Sequence, residues 1–98
     1  MRIALVIGKL TMSRMLPDIV PGSYLIVRPC GREALMGGRA EGEELVLYDE
    51  LGAGEGDLAG MVEGREACQP FLPRRVPFDA YNACTLDCVN FRPVLDKR

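Results

Sequence analysis

The stretch Tyr48-Asp49-Glu50-Leu51-Gly52-Ala53-Gly54-Glu55-Gly56-Asp57 decides how the rest of the chain is read. Three glycines alternate with small or acidic residues, which invites a phosphate-binding reading. The spacing is GxGxG, not GxGxxG, and no Gly-Lys-Ser/Thr follows. A phosphate cradle also wants a helix N-terminus and positive surroundings. Here Asp49, Glu50, Glu55 and Asp57 would repel a polyanion. A calcium loop fails as well, because Leu51 and Ala53 stand where oxygen ligands are required. The remaining reading is a tight loop whose glycines supply positive φ and close backbone approach, with its carboxylates solvated. One turn needs one or two glycines. A third is accounted for if several copies of the loop meet around a symmetry axis.

The segments on either side read as strands. Upstream, Glu43-Glu44-Leu45-Val46-Leu47-Tyr48 forms a third strand. It is preceded by Ser23-Tyr24-Leu25-Ile26-Val27-Arg28, β-branched and aromatic and ended by Pro29. The first strand covers Ile3 to Met12. Its run Ile3-Ala4-Leu5-Val6-Ile7 is apolar on both faces, and Gly8 permits a bend. Pro17 and Pro21-Gly22 mark a loop. The Gly31–Gly42 segment, with four glycines and mixed charge, predicts an exposed hairpin connection.

Downstream, Leu58–Val62 is a short fourth strand and Gly64–Gln69 one or two helical turns stopped before Pro70. Residues Asp79–Phe91, between Pro77 and Pro93, predict a long last strand. Five short strands, regular turn signals and one short helix predict a mainly β fold, a small five-stranded barrel, as one domain over residues 1–98.

The composition narrows the chemistry. The 98 residues contain no His and no Trp. Without His there is no Ser–His–Asp triad, no Cys–His pair and no imidazole metal ligand. Ten Arg and two Lys stand against 14 acids, a net charge of −2, so no nucleic-acid or anionic-membrane partner is indicated. No apolar run approaches the roughly 20 residues of a membrane span. No targeting segment is visible, so the expected location is the cytoplasm.

The four cysteines are Cys30, Cys68, Cys84 and Cys88. On a strand, Cys84 and Cys88 would lie about 13 Å apart, too far for a disulfide or a shared metal. On a helix the same spacing would bring them together. The strand reading makes all four reduced, packed thiols. Cys68, beside Arg65, is a nucleophile without a base, and Asp49, Glu55 and Asp57 form no evident cleft. No catalytic, metal-binding or cofactor-binding residue is therefore expected.

With these segments in place, the chain resembles the EutN/CcmL family, the pentameric vertex proteins of bacterial microcompartment shells. Residues 48–57 resemble the family's Asp, two residues, Gly-Ala-Gly, spacer and small–acidic pair. Met1–Gly8 resembles its first strand, Gly22–Pro29 its second, and Glu63-Gly64-Arg65-Glu66-Ala67 its turn into a short helix. Pro77-Phe78-Asp79-Ala80 resembles the opening of its last strand, and Asp87 the Asp near that strand's end. The last strand departs from the usual apolar Ala-Val-Val-Gly-Ile-Val, reading Tyr81-Asn82-Ala83-Cys84-Thr85-Leu86. The Arg14–Val20 loop and the Gly31–Gly42 connection also differ from common members.

The resemblance implies an oligonucleotide-binding-type (OB-like) barrel that assembles as a ring of five and acts structurally, not as an enzyme. It implies that Asp49, Gly52, Ala53, Gly54, Glu55 and Gly56 belong to a loop at the five-fold axis. Arg65 and Asp79 become subunit or shell contacts. The implied partners are further copies of the chain and hexameric or trimeric shell tiles, in a microcompartment shell. The competing reading is an OB barrel that binds nucleic acid. That function needs a basic groove with stacking aromatics, whereas Tyr24, Tyr48, Phe71, Phe78, Tyr81 and Phe91 are scattered in sequence among interspersed charges.

Overall fold

A computed structural model describes residues 1–19, 21–38 and 42–91. Five strands close on one another: β1 (Arg2–Leu10), β2 (Ser23–Pro29), β3 (Leu45–Asp49), β4 (Leu58–Glu63) and β5 (Ala80–Leu86). Their order round the barrel is β1-β2-β3-β5-β4, with β4 returning to β1. All pairings are antiparallel except β3 with β5, which meet in parallel through one residue pair, Tyr48 and Tyr81. Closure removes open sheet edges, the usual liability of a small β protein.

Each strand places alternate residues on opposite faces. The inward residues Ala4, Val6, Leu25, Val27, Leu47, Ala59, Met61 and Ala80 form the barrel core. A second cluster lies outside the barrel wall. Tyr24, Tyr48 and Tyr81 occupy one row across β2, β3 and β5, since Tyr24 pairs with Tyr48 and Tyr48 with Tyr81. Phe78 stacks on Tyr48 at 4.5 Å between ring centroids, and Phe71 meets Tyr48, Phe78 and Tyr81 edge-on. Offset and edge-to-face contacts of this kind stabilise by about 0.5–1.5 kcal/mol each beyond their area burial.

The five strands agree with the sequence reading in number and order, and their limits differ instructively. β1 ends at Leu10, two residues before Met12. β3 starts at Leu45, after Glu43 and Glu44. β5 is the main correction, because it stops at Leu86 and residues 87–91 form no strand. Its partner β4 begins at Leu58, which pairs with Leu86. Upstream of Leu58 the chain turns to β1, where Val6 donates to the Asp57 carbonyl and Gly56 to the Val6 carbonyl, both at 2.9 Å. Among the described residues, nothing is left for residues 87–91 to pair with.

The helix after β4 is a 3₁₀ helix, Gly64–Phe71, and it continues through Pro70. Proline's φ suits a 3₁₀ turn, and short i→i+3 turns survive the loss of one N–H. A further helical turn, α1 (Arg32–Leu35), occupies part of the segment expected to be only a hairpin connection. Residues 39–41 of that segment, Val20 of the Arg14–Val20 loop, and Pro93 lie outside the described residues.

Candidate functional site

The loop joining β3 to β4 is organised by one side chain. Asp49 ends β3 on the same face as Leu47, so its carboxylate projects into the end of the barrel and is 2% exposed. Oδ1 accepts from the Leu51 amide at 3.1 Å, and Oδ2 accepts from the Gly52 and Ala53 amides at 3.0 and 2.9 Å. A fourth donor comes from β5, where Asn82 Nδ2 reaches Oδ1 at 2.8 Å. Four donors on one buried carboxylate supply the charge-assisted bonding that a desolvated anion requires. Asp49 is thus not solvated, contrary to the sequence reading of the loop's acids. The three loop amides and the buried Asn82 amide are what hold it.

The loop then turns outward. The Gly54 amide donates to Asp57 Oδ2 at 2.8 Å, and the Asp57 amide to the Gly54 carbonyl at 3.0 Å. Ala53 packs under the loop against the barrel core, while Gly52, Gly54, Glu55, Gly56 and Asp57 are exposed. Glu50, also exposed, accepts the Tyr81 hydroxyl at 3.0 Å on the outer side of the β3–β5 seam.

The three glycines have different causes. Gly52 and Gly56 adopt φ of +81° and +92°, a region that L side chains enter at a cost. Gly54 has no such backbone requirement. A Cβ built on it meets only Asp57 Oδ2, at an ordinary 3.9 Å. Neither conformation nor crowding among the described residues calls for glycine at position 54.

Arg65 and Asp79 lie apart from this glycine-rich limb. The Gly64 amide donates to the Asp79 carbonyl at 2.9 Å, which joins their segments at the far end of β4 from Asp57. Both side chains are exposed, and neither forms an ion pair among the described residues. Asp79 stands on the rim of an apolar groove lined by Met12, Ile19, Tyr24, Val46 and Phe78.

The aromatics, scattered in sequence, converge in space: all but Phe91 of the six join one cluster. That convergence corrects the sequence reading, but it does not make a stacking platform. Tyr24, Tyr48 and Phe78 are buried against one another and Phe71 and Tyr81 half-buried, so their faces are taken up by packing. Burial pushes the phenols of Tyr24, Tyr48 and Tyr81 above the ordinary value. For Tyr81 the hydrogen bond to Glu50 adds to that effect.

All four cysteines are free. Cys68 donates to the Phe78 carbonyl at 2.8 Å and the Val76 carbonyl at 3.3 Å, and Cys30 is half-buried, with its thiol pushed up mainly by burial. Cys84 lies on β5, whereas Cys88 falls beyond it and is exposed, not packed. No group of three or more potential metal-ligating His, Cys, Asp or Glu residues occurs among the described residues.

The family described as ethanolamine utilisation protein EutN/carboxysome matches residues 1–87. Among solved structures, the pentameric shell protein MSM0273 from the RMM microcompartment is similar at 25% identity. The match covers 96% of this chain and 100% of that one, with a TM-score of 0.79. EutN from Escherichia coli aligns at 24% identity over 93% of this chain and 89% of its own, with a TM-score of 0.76. CcmL from Gloeobacter violaceus aligns at 24% identity over 93% and 90%, with a TM-score of 0.79. Comparison with curated proteins gives no match.

Proposed function

Because the chain belongs to the EutN/carboxysome family, we propose that it is a structural component of a bacterial microcompartment shell. In this reading it assembles as a ring of five and caps the vertices where a layer of hexagonal tiles closes around encapsulated enzymes. The whole chain, 1–98, acts as one vertex domain and carries no catalytic or cofactor-binding group. The protein resides in the shell, within the cytoplasm, and meets hexameric or trimeric tiles.

The observation that carries the ring is Gly54. Gly52 and Gly56 are explained by their backbone conformations, but Gly54 is not. Clearance for something outside the chain remains as the reason for a glycine there. A second copy of the same loop meets that need, because ring closure by repeated head-to-tail contacts brings identical loops together at the axis. Residues Asp49 and Gly52–Gly56 then form the axial loop. Asp49 sets its shape from within, and Glu55 lies toward the opening. The exposed side chains of Arg65 and Asp79, without an ion pair among the described residues, serve as contacts to neighbouring subunits or tiles.

Native mass spectrometry or light scattering tests the assembly. A particle of five 10.8 kDa chains is expected. A stable monomer at micromolar concentration would exclude the ring.

A further inference from the structure

β3 and β5 close the barrel with one backbone pair, Tyr48 with Tyr81, whereas every other seam has at least four. The side chains beside that pair supply what the backbone does not. Tyr81 and Asn82 are consecutive on a strand, so they leave on opposite faces. Outside, the Tyr81 hydroxyl donates to Glu50 at 3.0 Å. Inside, Asn82 Nδ2 donates to Asp49 at 2.8 Å. The residues gripped are likewise consecutive, the last of β3 and the first of the loop. A register shift in the β4–β5 pairing, where Met61 faces Asn82 but Gly60 faces Cys84, accompanies the inward placement of the amide.

We propose that Tyr81 and Asn82 are positioning residues for the Gly-Ala-Gly loop: a two-sided polar clamp on Asp49 and Glu50 that fixes the loop's departure from the barrel. The assignment deepens the ring reading and rests on it for the loop's role in assembly. A packing role for Asn82 fits poorly. The residue is 1% exposed, and its Oδ1 has no hydrogen-bond partner among the described residues. Burying that unpaired carbonyl is unfavourable, and an apolar side chain would avoid it. The contribution of Asn82 is therefore geometric. It donates to the same carboxylate that receives the Leu51, Gly52 and Ala53 amides, and so ties the loop's first turn to β5.

Hydrogen exchange on the full chain tests the clamp, comparing residues 50–57 with β1 and β2. Asn82→Val is expected to speed exchange of the Leu51, Gly52 and Ala53 amides by about tenfold or more, with β1 and β2 changed less than about threefold. Tyr81→Phe keeps the ring and removes the hydroxyl. It is expected to give a smaller rise confined to the same loop. An equal rise in loop and strands would reduce Asn82 to an ordinary structural residue, and no rise in either variant would overturn the proposal. Should Asn82→Val not fold, Tyr81→Phe decides alone, and unchanged loop exchange overturns the clamp. Loop exchange is read within each chain, whereas the particle mass of the unmutated protein tests the ring. Failure of one is thus distinguishable from failure of the other.

Discussion

Gly22 lies against the hydroxyl end of the Tyr48 ring: a Cβ built on the glycine would stand 2.6 Å from Cε1 and 2.7 Å from the hydroxyl oxygen. The hydroxyl also donates to the neighbouring Pro21 carbonyl at 3.3 Å. The Pro21-Gly22 turn and the centre of the aromatic cluster therefore have to fit each other. Gly22→Ala is expected to destabilise the domain by about 1–3 kcal/mol, as overpacking does. Gly31→Ala, with nothing within 4 Å of the new methyl, should stay within about 0.5 kcal/mol. Urea unfolding of the two variants side by side checks the contrast.

The three loop glycines should separate by assay. Gly54→Glu leaves the barrel's stability within about 0.5 kcal/mol, because the site is open and its backbone ordinary, yet it should abolish the five-chain particle in native mass spectrometry. Gly52→Ala, at φ +81°, should instead cost about 1–2 kcal/mol in the barrel itself. Intact pentamers of Gly54→Glu would place the loop away from the axis.

Removing the carboxylate at position 49 should be the costliest change in the loop. Asp49→Ala removes the acceptor of three part-buried backbone amides and strands the buried Asn82 amide, an expected loss of about 2 kcal/mol or more. Asp57→Ala, at an exposed turn with one such bond, should cost about 1 kcal/mol or less. Thermal unfolding of both variants measures the difference.

Alkaline pH should loosen the fold through the tyrosines. All three hold their protons more tightly when folded than a free phenol, which titrates near pH 10. Above that pH the unfolded chain ionises first, so it binds fewer protons than the native one and stability falls as pH rises. Below it the contribution is complete. Absorbance at 295 nm should show ionisation delayed relative to denatured protein, and the melting temperature should decline over the same window.

Thiol labelling under native conditions should single out Cys88, which is exposed, ahead of the half-buried Cys30, Cys68 and Cys84. Mass spectrometry after brief iodoacetamide treatment is expected to show one dominant adduct, on the peptide carrying Cys88.

Much of this architecture was legible locally. β2 announces itself through Tyr24-Leu25-Ile26-Val27 and the flanking Gly22 and Pro29, all nearest-neighbour signals. The glycine loop was legible as a loop for the same reason. The end of β5 was not, because Val89 and Phe91 continue a strand-like composition. Only the position of Leu58 opposite Leu86 shows that the partner has run out. The turn at Arg32–Leu35 was hidden by glycines on either side of it. The tyrosine row depends on register between strands more than 20 residues apart.

The site shows the same division. Glycine spacing and acidity were visible in the sequence, but the opposed fates of its carboxylates were not. Asp49 and Asp57 look alike in sequence, and both begin or end a turn. What holds Asp49 inside is a local turn that aims three amides at it and an asparagine 33 residues away, and the second of these is a tertiary fact.

The return limb of the loop carries a final consequence. Gly56 and Asp57 are bonded to both backbone groups of Val6, a residue at the centre of the barrel core. The return limb is therefore part of the barrel wall, whatever the exposed tip at Gly54 and Glu55 does. Swinging that limb aside would first break two hydrogen bonds to β1. Movement of this limb is then set by local opening of β1 and not by loop motion alone.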